Sequence, residues 1–122
     1  MDIENYPDEA GAAVAIVAEA MRAAAEAREQ ALEHGPAALA RLVEVAQRDS
    51  GQAARVRRFL LALYNGPAWP LDLTELRGLD LELQRDALAV LALDWHGGQE
   101  VHQYVTDGDA VFREFWQRER TA

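Results

Sequence analysis

The sequence predicts an all-α fold, a small single-domain bundle of four to five helices. Three observations predict it. Alanine occurs 24 times and leucine 15 times, whereas isoleucine occurs twice and threonine three times. Ala and Leu lose little on entering a helix, while β-branched side chains lose rotamer freedom there. Apolar residues recur at three- and four-residue steps along most of the chain instead of alternating. Short Gly, Pro, Asn and Asp clusters cut these stretches into helix-sized pieces.

Composition bounds the rest. The chain has 122 residues, half of them apolar, which suits one domain with a real core. It has no cysteine, which excludes disulfides and zinc–thiolate sites. No run approaches the length of a membrane span, and the start Met1-Asp2-Ile3-Glu4 lacks the positive region of a signal peptide. A cytoplasmic protein without membrane contact is expected. All 12 basic residues are arginine, which reads as GC-rich coding bias and removes Schiff-base and P-loop lysine chemistry.

The elements follow in order. Pro7, Asp8 and Glu9 open a long Ala-rich helix from Ala10 to Leu32, with acids suited to its first turn. Val14, Val17, Met21, Ala24, Arg28 and Ala31 form a coiled-coil-like stripe on it. Its apolar face is thin, so it is expected to pack on the rest of the protein or on a second copy. Gly35-Pro36 ends this helix. Residues 1–35 thus read as a peripheral or self-associating helix, and 36–122 as the helical core domain.

A second helix is expected from Pro36 to Arg48, with Leu39, Leu42, Val43 and Ala46 on its core face. Asp49-Ser50-Gly51 is a turn whose polar residues offer a cap. A third helix runs from Gln52 to Tyr64 on a stripe of Val56, Phe59, Leu60, Leu63 and Tyr64, and Asn65-Gly66-Pro67 stops it. Residues 68–80 read as an ordered loop, with Trp69-Pro70 extended. Within it Asp72-Leu73-Thr74-Glu75 predicts one helical turn, with Asp72 as N-cap and Glu75 reaching back. Asp80 caps a fourth helix through Asp94; Ala87 to Leu93 is nearly all apolar, so this helix is expected to be the most buried. After Gly97-Gly98, residues 100–105 read as a short extended segment. Asp107-Gly108-Asp109 opens the last helix, anchored by Val111, Phe112, Phe115 and Trp116.

Charge is unevenly spread. Residues 1–35 hold eight acids and two bases, residues 36–68 two and five, and residues 69–122 eleven and five. The net charge of −9 opposes direct nucleic-acid binding, because phosphates need a positive field. The central segment concentrates Arg55, Arg57 and Arg58. These either face a phosphate or acidic partner, or pair with the protein's own surplus carboxylates.

The stretch from Ala46 through Asp49-Ser50-Gly51-Gln52 to Arg55-Val56 and Phe59-Leu60-Leu61-Ala62 continues to Asn65 and Leu71-Asp72-Leu73-Thr74-Glu75-Leu76, then Gly78 and Asp80. It resembles an uncharacterised family of short accessory proteins carried on bacterial integrative and conjugative elements, plasmids and genomic islands. The resemblance covers about residues 38–118, leaves the first 35 outside, and has Leu71 where Phe is more typical. It implies a context rather than an activity: an accessory protein of a mobile element, where defence inhibitors and transfer regulators are common.

Catalytic constellations are poor, and no catalytic residue is assigned. Ser50, the one serine, sits in a capping sequence with no histidine near it in the chain. Asp94, His96, Glu100 and His102 are the clustered potential ligands, and an extended 100–102 would put Glu100 and His102 on one side. Their spacing matches no metal motif, so no metal and no cofactor is expected. Trp69, in a Pro-flanked loop, is either a partner anchor or a lid on the core.

The expected function is therefore that of a non-catalytic acidic binding protein of a mobile element. Its concrete form is an anti-CRISPR-like inhibitor of a host defence complex, entering a basic channel by nucleic-acid mimicry. Glu19, Glu26, Glu29 and Glu33, with the acids between Asp72 and Asp86, are the candidate contacts. The alternative is a small regulator touching nucleic acid, or a transfer or replication protein, through the Arg55, Arg57 and Arg58 helix. A homodimer through the N-terminal helix is compatible with either.

Overall fold

The structure, a computed structural model, describes residues 8–122. The Ala-rich stretch forms a helix that does not stop at Gly35-Pro36. Helix α1 runs from Glu9 to Ala46, 38 residues and about 57 Å. The two helices expected on either side of Gly35-Pro36 are one. The reason is burial. Ala31, Gly35, Ala38, Leu39, Leu42, Val43 and Ala46 make one continuous buried face, which a break would split. Gly35 serves that packing, since a Cβ there would stand 2.6 Å from the Leu93 Cβ. Pro36 withholds the N–H that the Leu32 carbonyl would accept, and Leu32 lies on the exposed side. At its start α1 has Glu9 in the first turn, as expected, while the role expected of Pro7 lies outside the described residues.

Ser50 is the cap between α1 and the next helix: its Oγ accepts from the Ala53 N–H at 3.1 Å. Helix α2, Gly51–Tyr64, buries Val56, Phe59, Leu60 and Leu61. A 3₁₀ turn over Leu73–Gly78 follows, with Asp72 accepting from the Thr74 N–H at 2.9 Å. Glu75 does not reach back to complete that box, because Arg58 takes its carboxylate.

Helix α3, Leu81–His96, lies antiparallel along the C-terminal half of α1. Arg41 of α1 meets Asp86 near one end, and Gly35 meets Leu93 near the other. The Asp80 side chain does not cap α3. It accepts from the Gln52 amide at 3.0 Å while its own N–H donates to the same side chain at 2.7 Å, pinning α3 to α2. Nor is α3 the most buried helix: only Asp86, Ala87, Val90 and Leu93 are inside. Leu81, Leu88 and Trp95 recur every seven residues on its outer side and stay exposed. An apolar run tells how much could be buried, not how many neighbours arrive to bury it.

Residues 101–104 are a second 3₁₀ turn, Val101–Tyr104, where an extended segment was expected. No strand among the described residues offers it a partner. A capping box closes it instead, the Glu100 N–H donating to the Gln103 side chain at 2.8 Å. Helix α4, Gly108–Thr121, starts after Asp107, whose φ of 53° is left-handed. Gly108 permits this corner, since a Cβ there would overlap the His102 carbonyl. Phe112 and Phe115 of α4 join Phe59 in the centre, with Leu39, Leu42, Leu60, Leu61 and Leu93 around them. The described chain is thus all-α, four α-helices and two 3₁₀ turns. No described helix is long and apolar enough to cross a membrane.

Candidate functional site

The arginine cluster of α2 faces inward. Arg57 is 7% exposed. Its Nε donates to Glu119 at 2.7 Å, and its Nη1 donates to the carbonyls of Ala46 at 2.7 Å and Arg48 at 2.8 Å. Arg118 of α4 donates to the carbonyls of Gln47 and Arg48 and to Asp49. Two guanidiniums from two helices thereby satisfy the carbonyls left open where α1 ends, the end at which cations are favoured. Arg58 grips the Glu75 carboxylate through two nitrogens and reaches Glu119 at 3.1 Å. These bonds hold its guanidinium above its ordinary pKa, the hydrogen bond to Glu75 contributing most. Arg55 donates to the Glu75 carbonyl at 2.8 Å and lies against Gly78. All three arginines bond the protein itself, and Arg57 is withdrawn from the surface where a partner would meet it.

Trp69 is partly buried, edge-on to Trp116 at 5.5 Å, with its indole Nε1 buried and without a hydrogen-bond partner. It closes over the core. The exposed tryptophan is Trp95, 69% exposed on α3. Its signal was in the sequence as the seven-residue spacing from Leu81 and Leu88, opposite Ala87, Val90 and Leu93.

The four potential ligands do not converge. Among the described residues no three His, Asp or Glu side chains form a group able to hold a metal ion. His102 packs against Tyr64 at 5.1 Å with its Nε2 3.5 Å from Asp109. His96 lines a shallow cleft between α1 and α3 with His34. Burial raises the Asp94 carboxyl above its ordinary pKa, and the nearby Glu100 charge adds to this. The 3₁₀ geometry of 101–104 is what removes the shared side expected for Glu100 and His102.

A depression of about 660 Å³ lies between the C-terminal part of α1 and the start of α3. Arg41, Arg48, Arg85, Asp80, Glu82 and Asp86 line it. Two of its charges answer one another: Arg41 donates to both Asp86 oxygens, at 2.9 and 3.1 Å. Ser50 also borders it, with its hydroxyl occupied as the α2 cap.

The glutamates of α1 are different. Glu19, Glu26, Glu29 and Glu33 are all exposed. They share one side of the helix and span about 21 Å along it. Glu19 is partnered by Arg22 on the same helix. The other candidate acids are largely committed: Asp86 to Arg41, Glu75 to Arg58, Asp80 to Gln52. Asp72 bonds Thr74, whose hydroxyl and N–H hold its pKa down, the hydroxyl contributing most. The four α1 glutamates therefore form one accessible carboxylate face on the outer side of that helix.

No curated protein and no solved structure matches the chain. A family model described as a family of unknown function, DUF7673, matches residues 36–120. The match starts at Pro36, in the last third of α1, and ends within α4. It takes in the arginine pins, both 3₁₀ turns and the three buried phenylalanines, and leaves the glutamate-bearing half of α1 outside. Over most of its length, then, the chain is a member of the DUF7673 family.

Proposed function

We propose that the protein is a non-catalytic binding protein of a bacterial mobile element that inhibits a host defence complex, in the manner of an anti-CRISPR protein. One observation carries this reading: a projecting helix presents Glu19, Glu26, Glu29 and Glu33 to solvent on one side, while Glu75, Asp86 and Glu119 are held by arginines of the helical body. An acidic rod of this kind fits a channel lined with arginine, where complementary charge speeds and orients docking. Magnitude shapes the reading. One DNA strand carries a charge about every 3.4 Å of helix axis, so about six over a 21 Å span. Four glutamates match a few arginines of a single-strand channel better than a duplex site. The mobile-element context comes from the sequence resemblance alone.

The test is a pull-down from the bacterial host with tagged full-length protein at low and high salt. The expected result is one nucleic-acid-handling complex, retained at low salt and released at high salt. Glu26→Lys, Glu29→Lys and Glu33→Lys together should abolish its recovery. Unchanged recovery by that triple variant sinks the reading.

A further inference from the structure

α3 stops covering α1 near Ala27, where Ala27, Ala31 and His34 face Ala92 and His96. N-terminal to that point, residues 9–26 of α1 are all exposed, eighteen residues and about 27 Å of helix. The apolar face does not end with its cover. Ala10, Val14, Val17, Met21 and Ala24 continue the line of Ala31, Gly35, Ala38 and Leu42, since three- and four-residue steps stay on one side. Val14, Val17 and Met21 are 67%, 56% and 67% exposed there. Glu19, Glu26, Glu29 and Glu33 occupy the opposite side.

Three features select what covers this face. The stripe Ala10, Val14, Val17, Met21, Ala24, Arg28 advances by alternating steps of four and three, a spacing that is the same in both directions. Two antiparallel copies therefore set stripe against stripe: Val17 against Met21, Val14 against Ala24, Ala10 against Arg28. Charge agrees with that register. Arg28, the one charge on the stripe, meets the helix start where Glu9 lies beside Ala10. Direction agrees too. α3 already runs antiparallel to α1 on this line, and the α1 of a second copy takes up the line where α3 leaves it.

We propose that this face binds a second copy of the chain, as a two-fold antiparallel helix pair. Such a contact is isologous and closes on itself. An overlap of this length buries on the order of 1,000 Å² in total, the lower end for a specific interface. The glutamate faces stay outward in the pair, so the dimer does not depend on the inhibitor reading, nor that reading on the dimer.

Sedimentation velocity on the full chain tests it, from about 1 to 500 μM, a range that brackets a micromolar dissociation constant. The expected result is a concentration-dependent shift from monomer to dimer. Val17→Glu with Met21→Glu should weaken it at least about 100-fold with helicity unchanged by circular dichroism. Arg28→Glu and Glu9→Arg should each weaken the dimer, and together restore it. The chain has no cysteine, so cross-linking reads the register cleanly. Val17→Cys with Met21→Cys should form a disulfide-linked dimer, and Val17→Cys alone should not, because the Cα atoms must come within about 7 Å. A monomer at every concentration, a dimer indifferent to Val17→Glu with Met21→Glu, or efficient cross-linking by Val17→Cys alone would each overturn the proposal.

Discussion

Two kinds of ion pair coexist here, and burial separates their weights. Arg48–Glu44 joins side chains that are 61% and 72% exposed, so it contributes less than about 0.5 kcal/mol. Arg57–Glu119 joins side chains that are 8% and 3% exposed, and Glu119 also holds Arg58. Removing one partner of a buried pair strands the other charge. Glu119→Ala should therefore cost about 3 kcal/mol in urea unfolding, while Glu44→Ala should change little. Asp94 acts in the opposite sense. Burial, then Glu100, raises its carboxyl in the folded state above the ordinary 3.8. An acid whose folded pKa is raised binds more protons folded than unfolded, so stability falls as pH rises through that window. Asp94→Asn should raise the thermal midpoint at pH 7, and the gain should close as pH falls towards 3.8. Solvent screening at this half-buried group keeps the gain below about 1 kcal/mol.

Helix α1 shows how an element overrides its local signals. Gly35-Pro36 carries both residues that end helices, yet the helix passes through. Breaking propensity there costs a few kcal/mol at most, about 1 for Gly and about 3 for Pro. Against it stands one buried face running from Ala31 to Ala46. Gly35 is retained by contact, not by conformation, which reverses the usual expectation for a helical glycine. Gly35→Ala improves helix propensity but drives a Cβ into Leu93, so it should destabilise by about 1–3 kcal/mol. Pro36→Ala adds no atom to the packing and restores an N–H for the Leu32 carbonyl, so it should stabilise. Thermal unfolding of the two variants separates the readings: if Gly35-Pro36 were a helix stop, Pro36→Ala would bring no gain.

Over the whole molecule, the charge pattern of the sequence is the trace of its tertiary pairing. The arginine-rich middle segment is clasped by the acidic third that follows it: Arg41 by Asp86, Arg58 by Glu75, Arg57 and Arg58 by Glu119. The described acids of the first segment, Asp8 to Glu33, receive no such clasp from the middle one. They remain on a projecting helix, which is why that helix carries both the candidate acidic face and, on its other side, an uncovered apolar stripe.

The sequence by itself determined the helical class, the turns at Ser50, Asp72 and Asp107-Gly108, and the phenylalanines of the core. Propensity, capping and periodicity are local properties, read within a few residues. It also showed which glutamates share a side of the first helix, because helical spacing alone decides that. The tertiary structure decided the rest. Whether Gly35-Pro36 breaks a helix depended on Leu93, 58 residues away in the chain. Whether Arg57 meets a partner or a carboxylate depended on Glu119 arriving from α4. Which tryptophan stays in solvent depended on where α3 lies: Trp69 folds against Trp116, while Trp95 faces outward. In each case the deciding residues lie far apart in the chain, beyond the reach of capping, propensity and periodicity.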